Sequence, residues 1–168
     1  MSSDTLTTLA TLVGARLRAK GGMLATAESC TGGWVAQAVT AISGSSEWFE
    51  RGFVTYSDAA KQEMLGVSAR TLDAQGAVSE QTAREMAAGA LAHSHAQVAV
   101  AITGIAGPTG GSPEKPVGMV CFAWAAQGGV PNAETRHFQG DRESVRRQAV
   151  IAALQGILKL LEDSPGRP

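Results

Sequence analysis

The most constraining stretch of this sequence is residues 96–102 (AQVAVAI), which run straight into residues 103–113 (TGIAGPTGGSP). A short apolar run rich in β-branched residues and bounded by glycine predicts a buried strand. A glycine- and proline-rich loop of the length that follows is functional or disordered when it occurs in a compact chain. The same plan recurs upstream. Residues 23–27 (MLATA) predict a buried strand, residues 28–33 (ESCTGG) a turn, and residues 34–42 a helix. Residues 49–56 (FERGFVTY) predict a strand, with Ser57 and Asp58 capping a short helix through Lys61 to Leu65.

The remaining segments complete an alternating pattern. A helix is predicted over 5–20, with Asp4 as its N-cap, an apolar face at helical spacing and Gly21-Gly22 ending it. Ser79 opens another helix (SEQTAREMAAGALAHS), strands are predicted at 117–126 and 134–138, and a long helix at 141–161. Helices alternating with strands argue an α/β fold with a sheet covered on both faces. The chain reads as one domain over 1–168, with its core at about 5–161 and a flexible tail at 163–168.

Composition narrows the partners. A domain of 168 residues buries roughly 70% of the surface that its unfolded chain exposes, enough for a core without staples. A net charge of -1, with 17% charged residues, excludes a basic nucleic-acid arm, an acidic tail and a disordered activator. Two cysteines, Cys30 and Cys121, are too few for a disulfide framework. His93 and His95 lie two apart on different helix faces and His137 is distant, so no metal site is predicted. No apolar run reaches the ~20 residues of a membrane span, and the first residues reverse the charge order of a secretory signal. The expectation is a cytoplasmic chain without membrane or nucleic-acid partners. Its 20 glycines exceed the roughly 7% of ordinary usage and predict several loops where backbone must come close to something.

Four places could carry chemistry. In the turn of Ser29, Cys30, Thr31, Gly32 and Gly33, backbone N–H groups and two hydroxyls at a helix start suit an anion. An ordinary N-cap at Ser29 or Thr31 explains the same residues. Cys30 there is either a nucleophile or simply buried. Ser46, Tyr56 and Lys61 can form a nucleophile with a non-histidine base, a buried lysine accepting the serine proton. Equally, Ser57 caps a helix, Tyr56 packs and Lys61 is solvated. Thr103, Gly104 and Gly107 let backbone approach a ligand at a strand end, and Lys115 either fixes the next strand or contributes a cation. Arg142 and Arg146, four apart on one helix face, would hold a phosphate, or else pair with Asp141 and Glu143.

Taken in order, residues 26–33 (TAESCTGG), 52–57 (GFVTYS) with Lys61, 76–79 (GAVS), 103–108 (TGIAGP), 115–118 (KPVG) and 140–142 (GDR) resemble the CinA C-terminal domain family. The resemblance covers roughly residues 6–161 and is closest to the stand-alone form without the larger partner domain. It implies a three-layer α/β/α sandwich, a homo-oligomer, no cofactor and no metal. The implied reaction is hydrolysis of the carboxamide of nicotinamide mononucleotide to nicotinate mononucleotide and ammonia, returning a by-product of NAD use to NAD synthesis. A serine works with a lysine in that chemistry. On this basis Ser46 is the preferred nucleophile, Lys61 the base and Tyr56 the orienting hydroxyl, with Ser29 the competing nucleophile or a donor to substrate. Thr31, Gly32, Gly33, Thr103, Gly104 and Gly107 would shape the pocket, and Arg142 would meet phosphate or ribose. The alternatives are a catalytically silent nucleotide-binding module of the competence/damage-inducible type and a hydrolase of another small amide.

Overall fold

The computed structural model describes residues 2–163. In chain order the elements are α1 (Ser2–Lys20), β1 (Leu24–Glu28), α2 (Trp34–Thr40), a 3-10 turn (Ser45–Glu47), β2 (Phe49–Val54), α3 (Asp58–Leu65), α4 (Ala69–Gln75), α5 (Glu80–Ala92), β3 (Val98–Gly104), β4 (Met119–Ala126), β5 (Asn132–His137) and α6 (Arg142–Asp163). Asp4 lies inside α1 rather than capping it, and the expected tail beyond Asp163 falls outside the described residues. The helix α4 was not anticipated. It is seven residues long with a single buried side chain, Leu72, too little for an apolar period to register.

The five strands form one sheet in the order β2-β1-β3-β4-β5. β2, β1 and β3 run parallel, whereas β4 and β5 return antiparallel. In the β1–β2 pairing Leu24 faces Phe49 and Ala25 faces Arg51, so Glu50 is an extra residue bulged from the ladder. Its carboxylate accepts from the N–H of His95 at 2.8 Å, in the turn that leads to β3.

Alternation along the strands sorts large from small side chains. Val98, Val100 and Ile102, with Phe122 and Trp124 opposite on β4, face one side and pack with Val13, Leu17, Leu154 and Ile157 of the α1–α2–α6 layer and with Trp48 after the 3-10 turn. Ala99 and Ala101, with Cys121, Ala123 and Ala125, face the other side and meet Met86, Ala87 and Ala90 of α5. The result is the expected three-layer α/β/α arrangement, thick on one side and closely approached on the other. The closeness extends to the helices of that thin layer. A Cβ added at Gly89 of α5 would lie 1.9 Å from the carbonyl oxygen of Leu65, so glycine is what lets the end of α3 rest on α5.

This topology places a crevice. The chain leaves β1 through α2 on one face to reach β2, and returns through α3, α4 and α5 on the other face to β3. Connections that depart in opposite directions from adjacent parallel strands leave a gap at the carboxyl ends of those strands, where ligands bind in open α/β sheets.

Candidate active site

At that gap lies an open cleft of ≈ 220 Å³ lined by Ser29, Cys30, Tyr56, Lys61, Ala77, Val78, Thr103, Gly104, Ala106 and Arg142. Ser29 is the first residue past β1. Its N–H donates to the carbonyl of Ile102 at 2.9 Å, so the β1–β3 ladder runs on to the serine itself. Lys61, on the first turns of α3, is only 1% exposed. Its Nζ lies 2.9 Å from Ser29 Oγ, 2.9 Å from the Thr55 carbonyl and 3.1 Å from the Tyr56 carbonyl.

Burial pulls the Lys61 ammonium below the ordinary lysine range, an effect that Asp58 partly opposes. Among the described residues no carboxylate forms a salt bridge with it. A neutral amine suits the surroundings well. It has two N–H bonds, matched by the two carbonyls, and one lone pair, left facing the serine hydroxyl. The contact can therefore move a proton from Ser29 to Lys61 and back.

The turn after Ser29 is not an open anion site. The buried Glu28 carboxylate occupies it, accepting from Thr31 Oγ1 at 2.6 Å, the Val35 N–H at 2.9 Å and the Ala36 N–H at 3.0 Å. Neither Ser29 nor Thr31 caps α2. The capping position is Gly33, whose φ of 101° lies in the left-handed region that favours glycine, and Glu28 supplies the missing acceptor. Gly32 likewise has a positive φ and lies in the turn. Burial pushes the Cys30 thiol up to about 12, away from the thiolate that a nucleophilic cysteine uses.

The other predicted residues divide. Thr103 donates to the Ala77 carbonyl at 2.8 Å and, with Gly104, forms the cleft floor at the end of β3. A Cβ at Gly104 would meet Val120 Cγ2 at 2.7 Å and the Met119 carbonyl oxygen at 2.9 Å, so this position demands glycine for space, while Gly107 has a φ of 83° in the left-handed region that favours glycine. Tyr56 contributes its carbonyl to Lys61, whereas the residue as a whole is 64% exposed at the rim. There the Tyr56 hydroxyl accepts from Arg142 Nη2 at 3.3 Å, and Arg142 Nη1 donates to the Gly107 carbonyl at 2.8 Å. Arg146 is committed elsewhere, donating to the carbonyls of Cys30 and Thr31 at 3.0 and 3.1 Å beside the Trp34 ring. The two arginines therefore do not form a joint phosphate site. Lys115 donates to the carbonyl of Gln75 and holds the turn after α4.

Ser46 is not brought to the cleft. It is exposed on the 3-10 turn that precedes β2, and the carbonyl of Trp48 there accepts from Leu24 N–H at the opposite end of β1. Five residues of β1, roughly 15 Å of strand, separate that turn from Ser29. Ala77, Val78 and Ala106, which belong to motifs of the resemblance but carry no chemical signal of their own, also line the cleft. Glu28 did carry one, as an acid directly before a glycine turn and a helix. Among the described residues no group of three His, Cys, Asp or Glu side chains is placed to hold a metal ion, and no helix is long and apolar enough to cross a membrane.

The sequence and the fold both recur in known proteins. A nicotinamide-nucleotide amidohydrolase PncC of Enterobacter agglomerans is 55% identical over 95% of this chain and 97% of its own length. One from Escherichia coli (strain K12) is 56% identical over 92% and 94%. The crystal structure of the competence/damage inducible protein CihA from Agrobacterium tumefaciens superposes with a TM-score of 0.90 at 48% identity, covering 95% of this chain and 96% of that one. The model of the CinA C-terminal domain matches residues 6–161, which takes in every element from α1 to α6, and the chain belongs to that family.

Proposed function

We propose that this chain is a nicotinamide-nucleotide amidohydrolase that converts nicotinamide mononucleotide and water to nicotinate mononucleotide and ammonia. The observation that carries the reading is the buried Lys61 Nζ at 2.9 Å from Ser29 Oγ, at the head of the cleft. The relatives named for this activity, matched over nearly their whole length, support it.

In this reading Ser29 is the nucleophile. Neutral Lys61 takes the Ser29 proton as Oγ attacks the carboxamide carbon, then returns it to the departing nitrogen, which leaves as ammonia. Lys61 next takes a proton from water as the water attacks the acyl-serine. The C–O bond breaks, Ser29 recovers its proton, and nicotinate mononucleotide leaves. Thr103 and Gly104 shape the nicotinamide end, whereas Thr31, Gly32 and Gly33, which do not line the cleft, act through the turn that carries Ser29. Arg142, exposed at the rim with Tyr56, meets the phosphate, and Gly107 supplies the carbonyl that aims it. The reaction needs no metal or cofactor in this scheme. A cytoplasmic homo-oligomer serving pyridine nucleotide recycling completes the proposal.

The test is ammonia release from nicotinamide mononucleotide, its riboside and free nicotinamide, before and after exhaustive chelation. Turnover is expected to be fastest with the mononucleotide and unchanged by chelation. Tight binding of the mononucleotide without ammonia would instead mark a silent nucleotide-binding module.

A further inference from the structure

The Glu28 carboxylate is 1% exposed, and no described arginine, lysine or histidine forms a salt bridge with it. A buried carboxylate without a cation is costly unless its oxygens are hydrogen-bonded. Glu28 meets that condition with three donors, all drawn from the segment that follows the serine: Thr31 Oγ1, Val35 N–H and Ala36 N–H. Its main chain does equally specific work. The Glu28 carbonyl accepts from Thr55 N–H at 2.8 Å, and the Thr55 carbonyl accepts from Lys61 Nζ at 2.9 Å. One residue therefore touches the turn that carries Ser29 and, through a single peptide, the group that fixes Lys61.

We infer that Glu28 is a positioning residue, whose carboxylate locks the turn of residues 29–33 so that Ser29 Oγ stays within proton-transfer distance of Lys61. This inference rests on the reading of Ser29 and Lys61 as the reacting pair. Arg146 braces the same turn from outside through the Cys30 and Thr31 carbonyls, so donors inside and acceptors outside are both taken. The Ser29 hydroxyl makes just one other hydrogen bond among the described residues, a long 3.4 Å approach to the Tyr56 carbonyl. Its aim is accordingly set by the turn and not by its own bonds. An amide cannot replace the acid. Val35 and Ala36 present two N–H groups to the two Glu28 oxygens, and glutamine would oppose one of them with its own NH₂. Aspartate, one methylene shorter, would draw the acceptors back from the helix.

Three measurements on the full chain test this: steady-state kinetics with nicotinamide mononucleotide, thermal denaturation, and the rate at which a small sulfonyl fluoride labels Ser29. A shift of about 1 Å in a reacting group costs about 100-fold in rate, so Glu28→Gln should lower kcat by about that factor. KM should stay within about threefold, as expected when only the reacting geometry is lost. Labelling of Ser29 should slow in parallel with kcat. A merely structural role would lower the melting temperature while leaving kcat per folded molecule and the labelling rate at wild-type values, and that result overturns the inference. A loss carried by KM overturns it as well. If Glu28→Gln does not fold, Thr31→Val decides, with kcat expected to fall about tenfold for one lost hydrogen bond. A folded Thr31→Val variant with wild-type kcat and labelling rejects the idea. If the wild-type protein releases no ammonia, the proposed function fails, but the labelling rates still judge Glu28.

Discussion

Two glycine–serine turns flank β1, one at each end, and they could hardly differ more. The turn of Gly44, Ser45 and Ser46 packs its edge against Arg18, which bonds the Gly44 carbonyl at 3.4 Å and pairs with Glu47. Its Ser46 faces water. The turn of Ser29 to Gly33 begins on a strand buried along its whole length, is filled by the Glu28 carboxylate and braced by Arg146. Both mix glycine with hydroxyl side chains. What separates them is which end of the parallel strands they occupy, because only at the carboxyl end do the connections diverge and leave room for a ligand.

The sharpest way to break this comparison is to remove each hydroxyl in turn. Ser29→Ala is expected to lower kcat by about 10⁴-fold or more, the scale seen when a nucleophile is lost, and Ser46→Ala to leave kcat within about twofold. Reversed outcomes in the ammonia assay would restore Ser46 as nucleophile. Lys61→Met comes next, with kcat down by about 10³-fold for loss of a general base.

The pH dependence of Lys61 has a definite sign. Burial lowers the folded-state pKa beneath the ordinary 10.5, so the folded protein releases this proton before the unfolded chain does. The cost of holding the charged form is absent above 10.5, grows as pH falls toward the folded value and is constant below it. Wild-type stability in urea should rise with pH across that window, and Lys61→Met should flatten the rise. Turnover should climb with pH along a limb whose midpoint lies below 10.5, and that limb should vanish in the variant.

Smaller effects probe the rim and the support. Arg142→Ala should raise KM for the mononucleotide about 10- to 100-fold with little change in kcat, and leave the riboside unaffected. Gly89→Ala should cost about 1–3 kcal/mol in urea denaturation, since a methyl there must push α3 off α5. As α3 carries Lys61, the variant should also lose turnover, whereas no comparable link joins Gly89 to the Ser46 turn.

Much of this was legible in the chain itself. The β-branched run of 96–102 marked a buried strand, which is β3 at the centre of the sheet. Glycine and proline after the strands marked where a ligand sits. The ordered motifs were enough to suggest the family. The choice between Ser29 and Ser46 was not legible, because hydroxyls in glycine turns look alike until a topology assigns each to an end of the sheet. Lys61 was legible as a candidate base but not as a buried one: its spacing on α3 says nothing of Gly89, which lets that helix lie close to α5. Glu28 carried its signal only as an acid before a glycine turn and a helix, which does not say that its carboxylate folds back onto the helix N–H groups.

The bulge at Glu50 has a consequence for how this sequence can change in length. Side chains alternate along β2, and the carbonyl of Thr55 must arrive beside Glu28 to receive Lys61. One residue more or fewer between the 3-10 turn and Thr55 would slip every later pairing by a step and turn each side chain to the opposite face. That segment is therefore a measured spacer, closed to insertions and deletions. The turn at Gly128 and Gly129, which joins β4 to β5 far from any reacting group, is free to lengthen or shorten.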